Sequence, residues 1–198
     1  SPDAVMKLEK LLASIPHSIL AGSPRVEIKD IALDSRQVRQ GYLFVAIAGA
    51  SADGHAFIGD AVQRGAAAVL ITRDGVPVPD GVCAARAEGS PAALAALAHA
   101  FYGQPPCTLI GITGTNGKTT TSYLVRHFLD RAGIATGIIG TVAYAFGARS
   151  LPAVRTTPDA FELHRLLKQM SESGAQAVAM EVSSHALDQD RIGSLEYD

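Results

Sequence analysis

The sequence predicts an α/β protein built as two units in succession, each a mainly parallel sheet covered by helices. Three observations predict it. Helix-period and strand-period segments alternate along the chain; the segment Gly103-Gln104-Pro105-Pro106 interrupts that alternation near its middle; and a strand, a glycine-rich turn and a helix follow in that order just beyond it. The first two bear on architecture and the third on chemistry.

Taken in order, residues 3–15 place Val5, Leu8, Leu11, Leu12 and Ile15 on one helical face behind Ser-Pro-Asp start signals. Residues 26–33 alternate apolar and polar side chains as a half-buried strand does. After a turn at Gln40-Gly41, residues 42–48 form a short apolar run that fits a buried strand. Residues 54–65 read as a helix with Phe57, Ile58, Ala61 and Val62 inward, and 67–72 as the next strand. An Ala/Leu-rich helix over 91–102 ends at the proline pair, which cannot continue a helix and stiffens a connection. The expected domains are therefore 1–104 and 107–198. In the second, strands are expected over 107–113, 136–142 and 177–182, with a helix over 118–132 and an amphipathic helix over 159–174 whose core face is Phe161, Leu163, Leu166, Leu167 and Met170. That last helix has Thr157 as its expected N-cap and Pro158 at its first position.

Composition excludes several classes. The chain has 198 residues, 47% hydrophobic and 18% charged, so it has the apolar content for a core and too little charge for a disordered polymer. Lys plus Arg number 17 against 19 Asp plus Glu, a net charge of -2 that gives no general attraction to nucleic acid or an acidic membrane. Any anion must be bound locally. Cys83 and Cys107 have no CxxC or Cys/His metal spacing and read as thiols in a reducing compartment, which points to the cytoplasm. No apolar run reaches the roughly 18 residues that cross a bilayer. The first fifteen residues carry Asp3, Glu9 and lysines in a helical pattern unlike a signal peptide. A start at Ser1 and a stop at Tyr197-Asp198, straight after a strand-like segment, lead to the expectation of a piece of a longer protein.

The chemistry concentrates between Gly111 and Thr120. A strand feeding a glycine-rich turn into a helix N-terminus directs several backbone N–H groups and the positive helix end at one spot, as a polyphosphate requires. Gly114 and Gly117 let the main chain approach closely, Lys118 supplies a point charge for terminal phosphates, and Thr119 offers a hydroxyl to magnesium. The common spacing GxxxxGK[ST] would place a glycine at 112, where Ile112 stands, so the turn is a compressed form. A capping turn that merely happens to hold Gly and Lys is the bland alternative, disfavoured by the order strand, turn, helix. The expected nucleotide triphosphate site is Gly114, Thr115, Asn116, Gly117, Lys118, Thr119 and Thr120.

The run Gly-Thr-Asn-Gly-Lys-Thr-Thr resembles the ATP loop of the Mur ligases, cytoplasmic enzymes that add amino acids to UDP-N-acetylmuramic acid in peptidoglycan synthesis. Leu33-Asp34-Ser35-Arg36, Gly41-Tyr42-Leu43-Phe44-Val45-Ala46, Asp53-Gly54-His55, Thr156-Thr157-Pro158-Asp159 and Met180-Glu181-Val182-Ser183-Ser184-His185-Ala186-Leu187 agree with the MurE branch, which adds the third residue. The resemblance runs through nearly the whole chain. It implies a small N-terminal uridine-nucleotide-binding domain, followed by the first part of a P-loop-type parallel-sheet ATPase domain that is truncated and lacks the C-terminal ligase domain.

The resemblance further implies an ATP-dependent ligase that joins a diamino acid, meso-diaminopimelate or lysine, to UDP-MurNAc-L-Ala-D-Glu through an acyl phosphate. Lys118 and Glu181 become the catalytic pair, Thr119 and Glu181 the magnesium ligands, with ATP as co-substrate. A carboxylate facing the loop suits a hard dication that bridges phosphates. His185 stays secondary, since a lone His near a turn is more often structural. The uridine and diphosphate fall on Leu33, Ser35, Ala50, Ser51 and Ala52, with Asp34 and Arg36 pairing with each other at the surface. The muramoyl peptide falls on Thr156, Thr157, Ser183, Gln189 and Arg191, whose guanidinium can grip a carboxylate through two parallel N–H bonds. The partners expected are UDP-MurNAc-dipeptide, ATP and a diamino acid, with no nucleic acid or membrane insertion, for a monomer. The family's carbamylated lysine, its histidine for a second magnesium and its amino-acid-binding domain lie beyond these residues, so the chain alone is not expected to ligate. Two alternatives stay open: an unrelated P-loop NTPase, for which the strand ending in Glu181 instead of Asp is an awkward fit, and a non-catalytic UDP-sugar-binding module.

Overall fold

A computed structural model describes residues 5–49, 52–153, 158–188, 192 and 195–197. The chain divides into two compact units, Ser1–Phe101 and Tyr102–Asp198. Each has its own five-stranded sheet.

In the first unit β1 (Met6–Lys7) leads into α1 (Leu8–Leu12), β2 (His17–Ala21), β3 (Glu27–Ile28), β4 (Asp30–Ala32), β5 (Tyr42–Ala46), α2 (Ile58–Gln63), β6 (Ala68–Ile71), β7 (Cys83–Ala87) and α3 (Pro91–Tyr102). The sheet order is β2-β7-β6-β5-β4, parallel throughout except for the antiparallel edge strand β2. Successive residues of β5 point to opposite faces. Phe44 and Ala46 join Ala32, Ile58, Ala61, Val69 and Ile71 in one core cluster, and Leu43 and Val45 are equally buried.

Three expectations are corrected here. The helix over 3–15 shrinks to α1, because Met6 and Lys7 pair with Ile28 and Glu27 as a two-stranded ribbon, while residues 1–4 lie outside the described residues. Leu8, Leu11, Leu12 and Ile15 are still buried, but Val5 is exposed. The single strand over 26–33 breaks at Lys29 into β3, which serves that ribbon, and β4, which serves the sheet. Phe57 is 44% exposed, since the expected helix begins as a 3-10 turn over Gly54–Phe57 that rotates this side chain outward.

The second unit runs β8 (Thr108–Ile112), α4 (Lys118–Arg131), β9 (Thr136–Ile139), β10 (Ala143–Phe146), β11 (Arg149–Pro152), α5 (Ala160–Glu172), β12 (Ala177–Glu181) and α6 (Ser184–Asp188). Its sheet order is β11-β10-β9-β12-β8, with β12 parallel to both β8 and β9 and the β10–β11 hairpin antiparallel. The expected core face of α5 is buried, and its Leu163, Leu166, Leu167 and Met170 share one cluster with Leu109, Ile139, Val178 and Met180. Its cap differs from expectation. Asp159 is the N-cap and its carboxylate accepts the Glu162 N–H at 2.9 Å, whereas Thr157 lies outside the described residues and Pro158 precedes the cap. Asp leads the N-cap preferences because its short carboxylate reaches back to the first-turn amides. No described helix is long and apolar enough to cross a membrane.

Candidate functional site

The parallel order β9-β12-β8 decides what meets at the C-terminal end of the second sheet. Glu181 is in register with Ile112, so the last residue of β12 sits beside the last residue of β8, where the glycine-rich turn begins. The Val182 N–H donates to the Ile112 carbonyl at 2.8 Å and extends that pairing one step. Met180 is in register with Ile139, so residues 140 and 141 leave β9 at the same end. Ligand sites of open α/β sheets lie at such carboxyl ends.

The turn itself is exposed and its two glycines adopt conformations that favour glycine, φ 140° at Gly114 and φ 80° at Gly117. Gly117 is the N-cap of α4 and has no side chain to cap the first turn. Helix N-termini carry unpaired N–H groups and a partial positive charge, so an uncapped end presents both to an anion. The Lys118 ammonium folds back to donate to the Gly114 carbonyl at 2.8 Å, which places the charge over the turn. Ser122, fully buried, donates to the Thr119 carbonyl at 2.8 Å and anchors the first turn from below.

Glu181 is only 1% exposed, and the Thr119 hydroxyl donates to its Oε2 at 3.1 Å. The two residues named from the sequence as magnesium ligands are thus in contact, 62 positions apart in the chain. A buried carboxylate and a half-buried hydroxyl at the edge of a glycine-rich turn suit magnesium, which takes few protein ligands and keeps waters and phosphate oxygens for the rest. Among the described residues no cluster of three or more His, Cys, Asp or Glu could hold a metal by itself. Sequence reasoning missed Thr141, whose N–H and hydroxyl both bond Glu181. A threonine just past a strand carries no motif, and only the strand order could have found it.

The remaining expected residues are distributed as follows. In the first unit Leu33 and Ser35 follow β4, and Ala52 lies in the loop after β5, so all three are at the C-terminal end of parallel strands. Ser35 is buried, and its hydrogen bond to Asp60, with that of Arg64, lowers the pKa of the Asp60 carboxyl. Asp34 and Arg36 pair with each other, the shortest contact being 2.6 Å, and the arginine holds the carboxyl below its usual range. In the second unit Ser183 caps α6, its Oγ accepting the Ala186 N–H at 3.1 Å, and His185 is exposed on that helix. Ala50, Ser51, Thr156, Thr157, Gln189 and Arg191 lie outside the described residues.

The Asp53-Gly54-His55 motif is built into the first unit. Asp53 caps the 3-10 turn by accepting the His55 N–H at 3.0 Å and holds the His55 ring through Nδ1 at 2.6 Å. The Nε2 of that ring accepts the Thr72 N–H at 3.2 Å, so the loop after β5 is tied to the end of β6.

The family description "Mur ligase family, catalytic domain" matches residues 27–102, and "Mur ligase middle domain" matches residues 112–198. The UDP-N-acetylmuramoyl-L-alanyl-D-glutamate--2,6-diaminopimelate ligase of Geobacter metallireducens is 44% identical over 98% of this chain and 38% of its own length. A solved structure of a ligase of the same name aligns over 96% of this chain and 41% of its own, with TM-score 0.75 and 26% identity. The MurF ligase from Thermotoga maritima, solved in complex with ADP, aligns over 78% of this chain and 32% of its own, with TM-score 0.55 and 26% identity. The chain spans about two fifths of the length of the curated relatives it matches. With both domain descriptions matched in order along the chain, it belongs to the Mur ligase family.

Proposed function

We propose that this chain supplies the uridine-nucleotide and ATP-binding portions of an ATP-dependent ligase that joins a diamino acid to UDP-MurNAc-L-Ala-D-Glu. The observation that carries the reading is the contact between Thr119, on the first turn of the helix after the glycine-rich turn, and the buried Glu181 at the end of the neighbouring strand. A helix-capping turn of no further use has no reason to face a buried carboxylate.

In this reading residues 1–104 bind the uridine diphosphate through Leu33, Ser35 and the loop holding Ala50, Ser51 and Ala52. Residues 107–198 bind ATP and the muramoyl peptide, the latter through Thr156, Thr157, Ser183, Gln189 and Arg191. The backbone amides of the turn and the Lys118 ammonium hold the phosphates and stabilise negative charge as it shifts toward the leaving ADP. Thr119 and Glu181 would hold magnesium, which supplies charge neutralisation across the phosphates when bound. The D-Glu carboxylate, oriented against the terminal phosphoryl group, accepts it from ATP as ADP leaves, and the incoming amine attacks the resulting acyl phosphate, expelling phosphate and losing a proton to leave the amide. Diaminopimelate is favoured over lysine as the third residue because the curated relatives carry it in their names. Cys83 and Cys107, which lack CxxC or Cys/His metal spacing, fit work in a reducing compartment such as the cytoplasm.

Titration of a fluorescent ATP analogue with magnesium tests the ATP half. Lys118→Ala removes one charge-assisted contact and is expected to weaken binding by roughly tenfold or more. Equal affinity of the two proteins contradicts the assignment. Titration with UDP tests the other half, for which binding is expected and the absence of heat is contrary.

A further inference from the structure

Glu181 is gripped from its second side by a segment outside every motif named above. Beyond β9 the chain passes through Gly140 and Thr141 and turns into the hairpin. The Thr141 backbone N–H donates to Glu181 Oε1 at 3.1 Å, and the Thr141 hydroxyl donates to Oε2 at 2.9 Å. One donor on each oxygen fixes both the position and the plane of the carboxylate. The Thr119 hydroxyl shares Oε2 with Thr141.

Gly140 makes this grip possible. A β-carbon at Gly140 would lie 2.8 Å from the Glu181 carboxyl carbon and collide with Oε1. Its φ is not among the positive ones, so glycine is required there for space and not for backbone conformation.

We propose that Thr141, seated by Gly140, is a positioning residue for the divalent cation that accompanies nucleotide. Its two hydrogen bonds hold the Glu181 carboxylate in place while the Thr119 hydroxyl releases Oε2 and turns its oxygen to the cation. A carboxylate offers about four lone-pair sites, so two bonds to Thr141 leave it able to ligate a metal. Without them the carboxylate is free to rotate toward whichever donor remains, and the cation meets a ligand that must first be reoriented. Groups that orient metal ligands from behind typically control affinity by about 10- to 100-fold. The proposal rests on the nucleotide-site reading above.

The test uses the 198-residue chain with Mn2+ as the probe. Free Mn2+ is followed by electron paramagnetic resonance in the presence of ATP, and ATP affinity is measured separately in chelator. Thr141→Val keeps the shape and removes the hydroxyl. It is expected to weaken Mn2+ uptake with ATP by about tenfold, with metal-free ATP affinity unchanged within roughly twofold. Thr141→Ser is expected to restore uptake, and Gly140→Ala, which displaces the carboxylate, to lose it as Thr141→Val does. Wild-type Mn2+ uptake in Thr141→Val, alongside weakened uptake in Glu181→Gln, overturns the proposal and leaves the nucleotide site standing. Loss of metal-free ATP binding in Thr141→Val overturns it too, by showing that the residue only supports the fold of the turn. Failure of the unaltered chain to bind ATP overturns the underlying reading instead.

Discussion

Asp53 shows how much one side chain does where a strand gives way to a loop. Its carboxylate caps the turn at His55, bonds the His55 ring and pairs with Arg73 at 2.8 Å. These partners favour its charged form, the His55 ring bond most, and hold its pKa below the usual carboxylate range. A lowered folded-state pKa means stability that is present above the unfolded carboxylate value, about 4, and is lost as pH falls through the folded value. Asp53→Asn is therefore expected to be less stable than the unaltered chain at pH 6, with the difference shrinking below about pH 4 in urea unfolding. A difference that stays constant down to pH 3 contradicts this role. At this scale the sequence was legible where chemistry leaves a local pattern, as in Gly114, Gly117, Lys118 and Thr119. Glu181 was reached through the family resemblance, which places a magnesium-bound carboxylate at the end of the strand facing such a loop. Thr141 was not, because its meaning comes from a partner 40 positions away.

Among elements, α5 was readable almost to the residue because its apolar spacing is strict and its whole face is buried. Its cap was misplaced by two positions, since Thr157-Pro158 and Asp159 offer competing start signals and the carboxylate wins. Asp159→Ala is expected to cost about 1 kcal/mol in unfolding free energy, while Asp159→Asn costs a few tenths. Equal stability of Asp159→Ala and the unaltered chain in chemical denaturation is the contrary result. The strands that escaped notice did so for physical reasons. β7 is Cys-Ala-Ala-Arg-Ala, low in the β-branched and aromatic residues that mark strands, and its place in the sheet comes from flanking β6 and β2. The β10–β11 hairpin turns at Gly147, φ 56°, within a stretch whose alternation is weak. β3 and β4 were read as one strand because alternation continues across Lys29 although the pairing partner changes there.

Over the whole molecule, one rule recurs in both units: parallel strands deliver their following loops to one end. In the first unit that end gathers Ser35, Ala52, Asp53 and Thr72, and in the second the glycine-rich turn, Glu181 and Thr141. A net charge of -2 on 198 residues explains why anion binding must be local, through oriented amides and single cations, in place of a broad basic surface. The alternation of helix and strand made the α/β class readable from the sequence. Mixed pairing at the sheet edges was not, because β2 takes its direction from β7, distant in sequence, and the β10–β11 hairpin, though local, alternates too weakly to be marked. The central claim is that the amides of residues 114–120 and the Lys118 ammonium hold the triphosphate of ATP, with Glu181 beside it. A crystal structure of this chain with magnesium and a non-hydrolysable ATP analogue tests it most directly. The expected result is phosphate density against the turn with a cation contacting Glu181 and Thr119. A nucleotide bound elsewhere, or a turn that holds no phosphate at saturating nucleotide, contradicts it.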